Sequence, residues 1–150
     1  MQRRLLDVLA DPDAPDFWPL KLEIFKSEER ERKQPTHPHP NGLYCKFYCF
    51  LKDKYLVSDP LGDDEAPLPK EEVEKITTLD ECYTCTKLEV IDGVLYHKKQ
   101  DSVKWFMIDR EIPVMYPLEL REYNAEQEFI EKYKSEFQKL GIKGPIAKSK

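Results

Sequence analysis

The chain is 150 residues long, with 40% hydrophobic and 11% aromatic residues, enough for one domain or two very small ones with a real core. Its charged fraction of 35% exceeds the roughly 25% of an average domain, a Lys/Glu-rich surface that leans toward a hot environment. The net charge of -5 argues against broad binding to phosphate backbones, which needs a basic patch to release counterions. No apolar run approaches the ~20 residues that span a bilayer, and no signal peptide opens the chain. The expectation is a soluble, cytoplasmic protein.

Residues 1–10 read as a short helix with Leu5, Leu6 and Leu9 on one face. Two prolines between Asp11 and Pro15 stop it. From Leu20 to Phe25 the sequence alternates, Leu20, Leu22 and Ile24 against Lys21 and Glu23, as a half-buried strand does. Composition shifts at Lys26. Ser27 to Lys33 is almost wholly charged, and residues 34–42 form a proline-rich, extended link. Leu43 to Leu51 is a strand candidate, and Asp59 to Pro67 an acidic, proline-rich loop. A short helix follows from about Lys70 to Ile76.

The pattern turns to strand again at Lys87. Leu88 to Ile91 and Val94 to Tyr96 flank Asp92-Gly93, a pair suited to a type I′ hairpin turn. Trp105 to Ile108 and Ile112 to Tyr116 are two further strands around Asp109 to Glu111. Pro113 lacks an N–H, which places its strand at a sheet edge. Asn124 is positioned to cap a last helix with Gln127 as its reciprocal partner. Phe129, Ile130, Tyr133, Phe137 and Leu140 share one face of that helix, and Gly141 ends it. No internal repeat is visible. The expected architecture is α+β: a small antiparallel β unit built from residues 1–26 and 88–150, with flanking helices and an inserted module over 27–87.

All four cysteines lie in that module, as Cys45-x-x-x-Cys49 and Cys82-x-x-Cys85. Two close pairs about thirty residues apart are an arrangement that structural zinc sites use. Three outcomes fit the spacing: a tetrahedral zinc site, two disulfides, or free thiols packed among Tyr44, Phe47, Tyr48 and Tyr83. Redox chemistry by Cys82 and Cys85 is the weaker reading, since no thioredoxin-like βαβ context surrounds them. His37 and His39 belong to the proline-rich linker, and His97, in a polar run, is expected to face solvent. Asp63, Asp64 and Glu65 read as solvated surface. No Ser–His–carboxylate set can be assembled, and with 5 glycines there is little from which to build a phosphate-cradling loop. The sequence offers no self-sufficient active site. Trp105, Phe106, Ile108, Ile112, Pro113, Val114 and Met115 form apolar strands with more surface than a small unit can bury, and an edge strand with a spare apolar face docks other sheets.

Taken together, the two ends carry a resemblance. Arg3 to Ala10, a proline-containing turn and Pro19 to Leu22, then Val90 to Tyr96, Lys104 to Phe106 and Ile108 to Met115, are similar to Trm-one-twelve-like proteins. The resemblance covers about the first 25 residues and residues 88–121. It implies a small, zinc-ribbon-like, non-catalytic activator subunit of S-adenosylmethionine-dependent methyltransferases that modify tRNA, ribosomal RNA or release factor. Such a subunit forms a heterodimer by adding an edge strand to the enzyme's sheet, and meets S-adenosylmethionine and tRNA only through that enzyme. Phe17 and Trp18 would neighbour the contact made by the strand residues named above. Family members place zinc-ligand cysteines after the opening helix and after the Gly-x-Leu strand. Here those stretches hold Asp11, Asp13 and His97 instead, so the terminal unit should rest on Leu5, Leu9, Trp18, Leu20, Leu22 and Leu95. The rival readings are a zinc-ribbon-like RNA binder using Arg3, Arg4, Lys98, Lys99 and Lys104, and a thiol oxidoreductase.

Overall fold

The structure is a computed structural model that describes residues 1–60, 66–100 and 102–148; Asp63, Asp64 and Glu65 fall outside them. In chain order the regular elements are β1 (Lys21–Glu29), β2 (Tyr48–Cys49), β3 (Lys54–Tyr55), α1 (Lys70–Ile76), α2 (Leu79–Lys87), β4 (Leu88–Lys99), β5 (Ser102–Asp109), β6 (Ile112–Pro113), α3 (Tyr123–Lys132) and α4 (Lys134–Leu140). Short 3-10 turns at Arg3–Asp7 and Leu118–Leu120 complete them. The class is α+β, with a four-stranded antiparallel sheet in the order β1-β4-β5-β6 and a two-stranded sheet from β2 and β3. No helix among the described residues is long and apolar enough to cross a membrane.

The chain divides into two compact units, one of Met1, Ala10–Ser27 and Val90–Lys150, the other of Gln2–Leu9 and Glu28–Glu89. The opening residues therefore go with the central module rather than with the terminal unit. Asp7 accounts for this: its buried carboxylate accepts hydrogen bonds from the backbone N–H groups of Lys46 (2.6 Å), Phe47 (3.0 Å) and Tyr48 (2.8 Å). Leu6 is fully buried, whereas Leu5, expected in the terminal core, is 43% exposed.

In the terminal unit β4 runs unbroken through Asp92-Gly93, where a hairpin turn was expected. The turn lies further on, with Lys99 paired to Ser102 and Gln100 at a φ of 53°. Gly93 has a different use. A Cβ there would stand 2.5 Å from the carbonyl oxygen of Glu23, so glycine permits the close approach of β1 and β4. The β4–β5 register, with Val94 opposite Met107, Leu95 opposite Phe106 and Tyr96 opposite Trp105, sorts side chains by parity onto two faces.

One face packs Val94 and Trp105 against Phe129 and Phe137 of α3 and α4 and against Ile142. Phe25 of β1 joins them, with its ring centroid 4.9 Å from Tyr133 and 5.5 Å from Phe137. Leu20, Leu95, Phe106 and Ile108 are likewise fully buried. Trp18 and Leu22 are half-buried.

The last helix is two helices. Tyr133 leaves helical geometry at φ -121° and ψ 39°, and no side chain caps α3 at its start, so Asn124 does not play the expected role. The end behaves as expected: Gly141 sits at φ 71°, and the N–H groups of Gly141 and Ile142 bond to the carbonyls of Gln138 and Phe137. That is a Schellman pattern, with Ile142 and Phe137 packed in the same cluster.

In the central unit the segment from Leu43 to Leu51 forms strand only at Tyr48–Cys49. The N–H groups of Lys46 and Phe47 before it and of Tyr48 at its start are taken by Asp7, which leaves no ladder for a longer strand. Leu43, Tyr44, Leu56 and Val73 make the core of this unit together with Cys49 and Cys82.

Candidate functional site

Two places in the molecule, one in each unit, bring together the residues of a candidate site. In the terminal unit the sheet has two edges of opposite character. β1 presents Lys21, Glu23, Lys26, Glu28 and Glu29 as exposed residues, the charged edge that discourages pairing with other chains. β6 is short and apolar. A two-residue turn feeds it, with Arg110 at φ 47° and Glu111 at φ 72°, both in the left-handed region that a type I′ turn requires.

This turn is held from below by Asp92. Its buried carboxylate accepts from the Arg110 N–H (2.9 Å), the Lys132 Nζ (2.9 Å) and the Tyr133 hydroxyl. Burial pushes the Asp92 carboxyl up, but the bonds from Tyr133, Arg110 and Lys132 outweigh it and hold the group below its ordinary value. One carboxylate thus ties the turn before β6 to the break between α3 and α4.

Ile108 pairs with Pro113 and Asp109 with Ile112, and the Val114 N–H bonds to the Met107 carbonyl at 2.9 Å. In an antiparallel ladder the intervening backbone groups point the other way. The Pro113 carbonyl and the Met115 N–H are therefore on the free side of β6, and proline's missing N–H costs the ladder nothing there. Ile112 is 64% exposed, and Tyr116, the last residue of the expected strand, is exposed after it, as are Leu118 and Leu120, which sequence reasoning passed over. The signal for the last two was present: they continue the alternation of Tyr116 past Pro117, in a stretch that no helix or strand pattern claims. Val114 lines a cavity of about 50 Å³ with Met107, Tyr116 and the buried Arg121–Glu126 pair (2.5 Å).

The structure separates the residues expected at the contact. Ile112 is exposed and Pro113, Val114 and Met115 are half-buried. Trp105, Phe106 and Ile108 are fully buried, so they support the edge from inside and offer no surface to a partner. The expectation failed for them because both faces of β5 are covered within the chain.

Phe17 is also engaged internally. Its ring stacks on His97 at 4.6 Å and 5°, and His97 is buried rather than facing solvent. The His97 Nε2 lies 2.7 Å from Asp11 Oδ2, and the Lys104 ammonium bridges Asp11 (2.7 Å) and Asp13 (2.8 Å). Asp11 is fully buried; burial raises its carboxyl, but Lys104 and His97 together hold it below the usual carboxylate range. The Lys104 ammonium thus draws Asp11 and Asp13 together beside His97. Lys104, committed to two carboxylates, is not a free phosphate ligand.

No family model, curated protein or solved structure matches the chain.

The second place is in the central unit. Cys45, Cys49, Cys82 and Cys85 all line one cavity of about 20 Å³, with Arg3, Arg4, Tyr44, Phe50, Leu51 and Thr86 completing its wall. None of the four is in a disulfide. Cys45 and Cys49 flank the three N–H groups anchored by Asp7. Cys82 and Cys85 lie three apart on α2, hence on one helical face.

The start of α2 is fixed by a capping box, in which Thr78 accepts from the Glu81 N–H (3.3 Å) and Glu81 from the Thr78 N–H (3.0 Å). Thr-x-x-Glu at 78–81 was the sequence signal for this helix. Burial pushes the Cys45 and Cys82 thiols up, and also that of Cys85 despite the nearby Arg3. Dithiol redox catalysis wants the reverse, an exposed thiol of low pKa. As the side chains stand, no three His, Cys, Asp or Glu among the described residues are arranged to hold a metal ion. His37 and His39 are exposed in the linker and line neither place.

Proposed function

We propose that this chain is a non-catalytic subunit that docks a partner enzyme's sheet through β6. The observation that carries the reading is the asymmetry of the sheet's edges, a charged β1 against an apolar β6 whose outer backbone groups are free to pair. The exposed side chains of Ile112, Tyr116, Leu118 and Leu120 would add apolar burial to the main-chain bonds.

The similarity of both chain ends to Trm-one-twelve-like proteins supplies the class of partner, an S-adenosylmethionine-dependent methyltransferase acting on tRNA, ribosomal RNA or release factor. In this reading the terminal unit is a relative of the zinc ribbon in which the Asp11–His97–Lys104–Asp13 cluster does the tying that metal does elsewhere. The partner supplies the S-adenosylmethionine site and all catalytic groups.

Co-expression with the methyltransferases of the same organism tests this. A soluble 1:1 heterodimer is expected with at least one of them, and Ile112→Asp should abolish it while leaving the tryptophan emission of the free chain unchanged. Undiminished assembly with the Ile112→Asp chain would move the interface off β6. Failure of every methyltransferase to co-purify would remove the partner class.

A further inference from the structure

We infer that the cavity lined by Cys45, Cys49, Cys82 and Cys85 is a structural zinc site closed by four thiolates. Two cysteine pairs far apart in the chain arrive at one cavity of about 20 Å³, room for a single small occupant and no organic ligand. The elements that bring them there are each fixed by groups other than sulfur. Asp7 anchors the Cys45–Cys49 loop by three backbone N–H groups, and the Thr78–Glu81 box fixes the helix bearing Cys82 and Cys85. None of these anchors uses a sulfur.

The charges of the wall fit the same occupant. Zinc held by four thiolates carries two net negative charges, and the two charged side chains that line the cavity besides the cysteines are Arg3 and Arg4. Binding would proceed by loss of four thiol protons to solvent, Zn²⁺ taking their place, with no change of oxidation state.

The unit also needs a brace. Its sheet is two strands of two residues, and its helices have 7 and 9 residues. A core of that size in so small a unit stands near the limit at which metals or disulfides are required. The thiols are not converged at ligand spacing, yet all four line the one cavity. This inference is independent of the docking reading.

The test uses the full chain purified under reducing conditions without chelator. Elemental analysis should give one zinc per chain, and cobalt(II) added to chelator-stripped protein should produce the charge-transfer and visible bands of a tetrahedral tetrathiolate. Cys85→Ser should lose stoichiometric zinc; if that variant does not fold, protection of all four wild-type thiols from alkylation by added zinc decides. A folded, reduced chain that takes up neither metal and alkylates at all four thiols would overturn the inference. So would a native mass lower by two protons for each of two disulfides.

Discussion

Asp92→Ala should disable the edge of the sheet from within. The carboxylate is buried and serves three donors: the Arg110 N–H, the Tyr133 hydroxyl and the Lys132 ammonium. Lys132 is half exposed, with 51% of its side chain accessible, so water replaces that bond and it counts for little. The other two are hydrogen bonds to a charged acceptor, of about 1.5–3 kcal/mol each, and removing the acceptor strands their donors. Deleting the carboxylate also removes its own desolvation cost, so the net loss should be about 3 kcal/mol, roughly a hundredfold in the folding equilibrium. Both tryptophans, Trp18 and Trp105, belong to the terminal unit. Urea unfolding followed by tryptophan fluorescence therefore reports this unit alone. Asp109→Asn, whose partner Arg110 is exposed, is the control and should fall within about 0.5 kcal/mol of wild type. Amide exchange at Arg110 and Glu111 should quicken in Asp92→Ala and not in Asp109→Asn. A loss below about 1 kcal/mol, well under the value expected for two buried charge-assisted bonds, would refute the role given to Asp92.

Two further outcomes follow from the same unit. Gly93→Ala places a Cβ 2.5 Å from the Glu23 carbonyl oxygen, and because backbone must move to admit it, a loss of about 1–3 kcal/mol in the same urea assay is expected. Asp11 has a depressed folded pKa, so the stability it contributes is present above the unfolded carboxyl value of about 3.9 and is lost as pH falls through the folded value beneath it. Asp11→Asn should be less stable than wild type at pH 7 and lose less on acidification below about pH 4; parallel pH–stability curves for the two chains would show that the Asp11 cluster contributes nothing.

The elements that the sequence made legible are those whose signal is local. The β1 alternation, the edge position implied by Pro113, the α1 span and the Gly141 stop all rest on neighbours within a turn or a pleat. What misled were residues whose partners lie far along the chain. Asp92-Gly93 has the composition of a turn, yet Asp92 is held by residues 110, 132 and 133 and Gly93 by the approach of β1. His97 reads as a surface residue among lysines until Asp11 and Phe17 are brought to it from the other end. Leu43 to Leu51 reads as a strand until Asp7 claims its N–H groups. The apolar edge was legible from Ile112 onward, while the burial of Trp105, Phe106 and Ile108 depended on helices and turns whose placement composition does not encode.

Asp7 holds the Cys45–Cys49 loop by main-chain groups, so this anchorage is blind to which side chains stand at 46, 47 and 48. Proline alone is barred there, for want of an N–H. As far as Asp7 is concerned, those three positions can drift freely in other chains that share the device, provided an acidic residue survives near the chain start. Overall similarity between such chains would then decay while the pairing of one early aspartate with a Cys-x-x-x-Cys loop some forty residues on persisted. That pairing, rather than the intervening sequence, is the mark by which distant members of such a group would know one another.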